Sequence, residues 1–146
     1  MIDDRDTIKP LVEVLHDGQK GFSDLAEHLK DPEAKTFFLK ESQVRHQYAL
    51  ELETAVGITR DKEEGGSVAG AMHRFWGDLK GKLGGGDQSL LATAEQGEDA
   101  AKKEYEKVLG EKEISSNVRQ IITKQQSHIL EAHDRVKALR DAHKAA

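Results

Sequence analysis

The chain of 146 residues has no cysteine, only two prolines, and few aromatic residues, which make up 5% of the total. The lack of cysteine excludes disulfides and cysteine-ligated zinc sites. Scarce aromatics beside 34% charged residues favour helices with aliphatic seams over a β-sandwich. No apolar run approaches the roughly 20 residues that span a bilayer. These absences predict an all-α protein without a membrane partner.

The charge balance and the N-terminus limit the partners and the location further. The net charge is -5, whereas a nucleic-acid surface needs clustered lysine and arginine, so we expect no nucleic-acid partner. The opening run MIDDRDT lacks the basic and apolar regions of a secretory signal. We therefore expect a cytoplasmic protein, and the length fits a single domain over residues 1–146.

Apolar residues recur at steps of three and four along four long segments, which is the pattern of bundle helices. The segments cover about 7–30, 32–56, 88–109 and 117–143. Asp31 followed by Pro32 predicts a tight turn and a capped helix start. Gly18 and Gly21 interrupt the first helix, and each costs roughly 1 kcal/mol relative to alanine. They predict close backbone approach by a neighbour or a kink, with simple tolerance as the alternative.

The stretch Gly57–Asp87 joins the two helical hairpins. It is glycine-rich at both ends, and its apolar residues repeat at helical spacing, which predicts a short fifth helix over about 68–82. Ser67 and Asp87 are expected to cap this helix and the one after it. Fifteen helical residues measure about 22 Å, so the connection is long enough to cross back along the bundle. The second and third long helices are then parallel, as in ferritin-like four-helix bundles.

Four runs of residues resemble a known family. They are DGQKGF (17–22), SVAGAMHRFWGDLK (67–80), GED (97–99) and HDRV (133–136). The chain resembles a bacterial family of ferritin-like four-helix-bundle proteins that is known as a domain of unknown function. The resemblance covers nearly the whole chain, with the second run as its most specific part. It implies the ferritin-like fold and no established reaction, and members often carry Glu where this chain has Gln19.

The expected helix register places a set of polar residues in one layer of the core. This layer contains Gln19, Glu41, Arg45, Glu98, Gln125 and His128. Ferritin-like di-metal proteins bring a Glu from each of two helices and a Glu-x-x-His motif from each of the other two to such a layer. Here glutamines replace two of the expected carboxylates. Only Glu41, Glu98 and His128 match the usual ligands.

Two interpretations of this layer stay open. In the first, Arg45 pairs with Glu41 or Glu98, and the amides complete a buried hydrogen-bonded layer. In the second, Glu41, Glu98 and His128 form a degenerate di-metal site for iron or manganese. The first is favoured because hard cations prefer charged oxygen ligands and the fixed charge of Arg45 opposes a dication.

Other candidate residues give weaker signals. Two interpretations apply to His73, Arg74 and Trp76: a small partner surface and, as the favoured one, simple anchoring of the aromatic pair on the bundle. His133 is a candidate for a specific hydrogen bond, although a position without one is favoured. The histidines that fall off their seams are expected to be solvated; these are His16, His28 and His46.

Nothing in the sequence indicates nucleophilic catalysis or phosphate binding. There is no nucleophile elbow, and the glycines at 84–86 follow no strand and precede no Lys-Ser/Thr pair. We predict a non-catalytic structural or interaction module, for which a stress-related homo-oligomer is one form. The alternatives are a metal-binding ferritin-like protein with a degenerate site and a small-molecule binder. The latter would use a cavity left by Gly18, Gly21 and Ala94.

Overall fold

The structure, a computed structural model, describes residues 4–58, 75–76, 78–79 and 85–145, and no strand occurs among them. It contains four long helices: α1 Asp4–His28, α2 Pro32–Val56, α3 Gly86–Leu109 and α4 Ser116–Ala145. The predicted all-α class and the four long helices are confirmed. None of the described helices combines the length and hydrophobicity that crossing a bilayer requires.

Hydrogen bonds at one end of the bundle fix the helix directions. There the backbone N–H groups of Lys30 and Asp31 donate to the carboxylate of Asp87 at 2.9 and 2.8 Å. His143 Nε2 lies 2.8 Å from Asp31 Oδ2 at the same end. The starts of α2 and α3 therefore lie together with the end of α4. The two helices α2 and α3 run in the same direction, as expected.

The four helices form a square in which each helix packs against two neighbours. Helix α1 packs against α2 and α3, and α4 packs against the same two. All neighbouring helices are antiparallel, and the parallel pairs lie across the diagonals. The seam residues form one continuous apolar core, in which each fully buried aliphatic side chain contributes about 1.5–3 kcal/mol.

The turn between α1 and α2 has the predicted cap, whereas the start of α3 does not. Asp31 Oδ1 accepts hydrogen bonds from the N–H groups of Glu33 and Ala34 at 2.9 and 3.4 Å. The expected cap by Asp87 is wrong, since no side chain caps α3. The carboxylate of Asp87 instead accepts hydrogen bonds from the two N–H groups that follow α1, in the turn before α2.

Trp76 is buried between α1 and α3, where two glycines make room for its ring. A methyl group at Gly21 would overlap the indole, and one at Gly97 would lie 2.5 Å from Cζ2. The ring also meets Phe22 edge-on at 5.2 Å. The close approach predicted near Gly21 is thus made by the tryptophan side chain, while no described atom lies near a methyl group placed at Gly18.

Most of the predicted crossover helix lies outside the described residues. Within it, residues 75–76 are helical, residues 78–79 form a tight helical turn, and Leu79 is buried with Trp76 in the core. The expectation of a partner surface is corrected for Trp76, because its ring is covered by α1 and α3. His73 and Arg74 lie outside the described residues.

Candidate functional site

A buried arginine joins two carboxylates at the centre of the bundle. Arg45 is 2% exposed, and its Nη2 donates to Glu98 Oε1 and, at 3.4 Å, to Glu41 Oε2. Its Cζ lies 5.0 Å from the ring centre of Phe22, within range of a cation–π interaction. Glu41 lies one turn before Arg45 on α2, whereas Glu98 belongs to the diagonal helix α3. The contact therefore spans the core from corner to corner.

His128 of α4 extends this group towards the surface. Its Nε2 lies 2.7 Å from Glu41 Oε1, and its ring meets Tyr48 edge-on at 5.7 Å. The histidine side chain is 32% exposed, while the carboxylate beside it is buried. Glu41 thus contacts Arg45 through one oxygen and His128 through the other. We call Glu41, Arg45, Glu98 and His128 the ion cluster.

Gln125 lies nearby but has its own partners. Its Oε1 accepts from the hydroxyl of Tyr105 at 2.7 Å. Its Nε2 donates to Glu51 Oε1 at 2.8 Å and to the carbonyl of Tyr48 at 3.3 Å. The amide is therefore satisfied on both sides and links α2, α3 and α4, as a structural amide in a polar layer does.

Gln19 does not join the layer in which the sequence placed it. Its Oε1 lies 3.1 Å from His46 Nδ1, and its backbone carbonyl accepts from Ser42 Oγ at 2.7 Å. The core seam of α1 runs through Gly18 and Phe22, which are both buried. Since one residue turns a helix by about 100°, the side chain at position 19 faces α2 instead of the bundle centre.

Burial and neighbouring charges perturb the ionisation of the cluster. Burial raises the pKa of Glu98. The charge of Arg45 opposes this rise, whereas the charge of Glu41 adds to it. Burial would lower the pKa of Arg45, but Glu98 and Glu41 outweigh it and the pKa is raised. Glu98 Oε2 and Arg45 Nε have no hydrogen-bond partner within the described residues. The pair is therefore held through one contact only and remains costly to bury.

The ion cluster does not fit a divalent metal. An arginine in a protein stays protonated, and here it lies between the two carboxylates that a metal would share. Glu98 contacts Arg45, whereas the Glu41 oxygen that approaches His128 is directed to the histidine. The two carboxylates therefore do not converge on one point. No group of three potential metal-ligating side chains occurs in the described part of the chain. Only the pairing of Glu41 with His128 resembles part of a ligand set.

The model of a known protein family matches most of this chain. A model described as "Domain of unknown function (DUF2383)" matches residues 4–111. The chain belongs to the DUF2383 family. The expected membership of a family of unknown function is thereby confirmed, and a search of curated proteins gives no match. The DUF2383 match includes Glu41, Arg45 and Glu98, whereas Gln125 and His128 lie on α4 beyond it.

Sequence reasoning missed the contacts of two histidines in this DUF2383 chain. His16 was expected in solvent, but its Nε2 lies 2.9 Å from Glu53 Oε1 of α2 in a largely buried pair. His46 is likewise partly buried against Gln19. Both lie on the flanks of their helices, and flanking positions of bundle helices face neighbouring helices as well as water. This flanking position is the sequence feature that could have indicated the two contacts.

The remaining histidines follow the sequence more closely. His28 is exposed and lies 3.0 Å from its own helix carbonyl at Asp24. His133 makes the specific hydrogen bond that was the less favoured alternative, since its Nε2 lies 2.6 Å from Asp99 Oδ1 of α3. His133 therefore ties α4 to α3, while the His128 contact ties α4 to α2.

An open cavity of about 290 Å³ lies between α2 and α4. Its lining residues are Gln47, Tyr48, Glu51, Lys124 and Gln125. The small-molecule hypothesis had placed a cavity beside Gly18, Gly21 and Ala94. In the structure the space at Gly21 is filled by the ring of Trp76, so the observed opening lies on another side of the bundle.

Proposed function

We propose that this chain is a non-catalytic structural or interaction module with a ferritin-like bundle, in which the ion cluster fixes how the helices pair. The observation that carries this proposal is Arg45, which lies between Glu41 and Glu98 at the centre of the core. A guanidinium at this point supplies the positive charge that a metal would supply in a di-metal bundle.

The helix arrangement supports the ferritin-like part of the proposal. Two antiparallel hairpins lie side by side, every neighbouring helix is antiparallel, and the chain changes ends between α2 and α3. This is the order of a four-helix bundle with one crossover. An alternating bundle would place the starts of α2 and α3 at opposite ends, which the hydrogen bonds from Lys30 and Asp31 to Asp87 exclude.

The side chains at the level of the cluster support a structural role over metal binding. Helix α1 contributes Gly18 and Phe22 to the core at this level, and its buried carboxylates Glu13 and Asp17 form no part of the ion cluster. Helix α4 contributes Gln125, whose oxygen already accepts from Tyr105. A metal would thus lack ligands from α1 and would meet a neutral amide on α4, and neutral amides suit hard cations less well than carboxylates.

A buried cluster of this kind acts on specificity more than on net stability. Arg45 reaches Glu98 only when α2 and α3 lie diagonally at one relative height. A shift of either helix by one turn would leave at least one buried charge without its partner, which costs several kcal/mol. The cluster therefore favours the observed register over neighbouring ones.

Metal analysis of the full-length chain, purified without chelator, tests the proposal. We expect less than one tenth of an equivalent of iron or manganese, and no rise in melting temperature when either ion is added. Glu98→Gln serves as the control, since it removes a candidate ligand and should respond to the ions as the unmodified chain does. Stoichiometric iron or manganese that disappears in Glu98→Gln would refute the structural role and establish the degenerate metal site.

A further inference from the structure

A strip along the outward side of α2 carries no charge, although the exposed Lys40 and Glu51 lie beside it. Six exposed residues form this strip, which we call the α2 stripe: Thr36, Leu39, Gln43, Gln47, Leu50 and Thr54. The stripe spans five helical turns, or about 27 Å. By contrast, the exposed faces of α1 and α3 carry charges such as Lys20, Glu27, Lys103 and Glu106. An uncharged face is unusual in a chain with 34% charged residues.

Two leucines dominate the α2 stripe. Leu39 and Leu50 are 42% and 47% exposed. They are eleven residues apart, which is close to three whole turns, so both point in nearly the same direction. A third exposed leucine, Leu130, lies on α4 and is 37% exposed. Single exposed leucines are ordinary, but two on one uncharged face form a surface that a partner helix can cover.

We propose that the α2 stripe is the surface through which two copies of this chain pair, with their α2 helices antiparallel. The proposal rests on the proposed function as an interaction module and identifies its partner as a second copy. In a two-fold arrangement centred midway between Leu39 and Leu50, each Leu39 packs against the partner's Leu50. The glutamines at 43 and 47 meet at the centre, where their amides can donate to and accept from one another.

Charges beside the α2 stripe select the antiparallel direction. Lys40 and Glu51 are exposed on the same edge of the stripe, eleven residues apart. An antiparallel pairing brings Lys40 to within about 3 Å, measured along the helix axis, of the partner's Glu51. A parallel pairing would place the two copies of each residue on opposite edges of the interface, so Lys40 would not meet Glu51. Opposite charges thus meet twice in the antiparallel arrangement and not in the parallel one.

Both charged groups are able to make this contact. Lys40 makes no hydrogen bond or ion pair within the described residues. Glu51 Oε1 accepts from Gln125 at 2.8 Å, which leaves its second oxygen for a cation. Since a single pair of helices covers less than the roughly 800 Å² per partner of a standard interface, we expect a dimer that dissociates on dilution.

Sedimentation of the full-length chain over about 5 µM to 1 mM tests the association. We expect a monomer at the low end and a dimer at the high end. The double variant Leu39→Glu with Leu50→Glu should remain monomeric throughout, while the matched control Leu130→Glu should associate like the unmodified chain. Circular dichroism of each variant verifies that it is folded. A monomer at every concentration, or equal loss in the control, would overturn the proposal.

Disulfide trapping tests the geometry, because the chain has no cysteine of its own. An equimolar mixture of Leu39→Cys and Leu50→Cys chains should give a mixed disulfide on oxidation. Each variant alone should not cross-link, since the two copies of one position lie about 16 Å apart along the helix axis. Self-linking of each variant, or dimers that form no disulfide in any mixture, would refute the antiparallel pairing. The metal analysis is independent of both outcomes.

Discussion

Replacing Arg45 with methionine is the most direct perturbation of the ion cluster. Methionine fills a similar volume and keeps the helix propensity of the site, so the main loss is the positive charge. Glu41 and Glu98 would then lie in the core without Arg45 between them, and Glu41 would keep its contact with His128. The variant therefore measures how much the buried positive charge contributes to the free energy of unfolding.

The expected loss is large because it leaves buried carboxylates without a fixed cation. Removing one partner of a buried ion pair costs about 3–5 kcal/mol. At roughly 3 °C per kcal/mol for a domain of this size, the melting temperature should fall by about 10–15 °C. The same substitution at Arg135, whose ion pair with Glu33 is largely exposed, should cost less than about 1 kcal/mol. Arg135→Met is therefore the matched control.

The loss should depend on pH in a defined direction. Burial already raises the pKa of Glu98, and Arg45 opposes that rise, so the variant should raise this pKa further. A carboxyl with a higher pKa in the folded state holds more protons when folded than when unfolded, and stability then falls as the pH rises through that interval. The cost of Arg45→Met should thus be larger near about pH 8 than near about pH 5.

Urea unfolding followed by circular dichroism measures both quantities. Adding Glu98→Leu to Arg45→Met should recover part of the lost stability, since it removes the unpaired carboxylate. The reasoning fails if Arg45→Met costs no more than Arg135→Met, or if its cost is the same at both pH values. Either result would mean that the charge of Arg45 contributes little to the folded state.

Two further predictions concern the packing of Trp76 and the hairpin end. Gly97→Ala should push the ring of Trp76 outwards, cost about 1–3 kcal/mol, and shift the emission of the single tryptophan to longer wavelength. Gly18→Ala, where no described atom lies within reach, should leave that emission unchanged. A hydrogen bond from His143 lowers the pKa of Asp31, so its stabilising contribution should be lost as the pH falls through that pKa. In an NMR titration, His143→Ala should raise the pKa of Asp31, and an unchanged value would contradict the contact.

Local patterns of the sequence predicted the helices and the turn between α1 and α2. The seam spacing and the cap at Asp31 each act over a few residues, so they can be identified without the fold. Asp87 could not be assigned in this way. Its partners at residues 30 and 31 belong to the other hairpin, and only the tertiary arrangement brings them to its carboxylate.

The candidate site shows the same limit at the scale of one residue. Glu41, Arg45 and Glu98 lie on their seams, so their shared layer followed from counting turns. Gln19 lies one residue from the seam position Gly18, and this single step turns its side chain from the core to His46. Counting heights along a bundle therefore predicts the level of a side chain, whereas its direction depends on the rotation of the helix.

The orientation of the side chain at position 19 also determines which groups a carboxylate there would contact. A Glu at this position would suggest a metal ligand if the side chain faced the core. In this bundle the side chain at 19 approaches His46 at 3.1 Å, next to the largely buried contact of His16 with Glu53. A Glu at that position would form a second histidine–carboxylate contact between α1 and α2. The presence of Gln19 therefore alters the α1–α2 interface, while the charge balance at the bundle centre depends on Arg45.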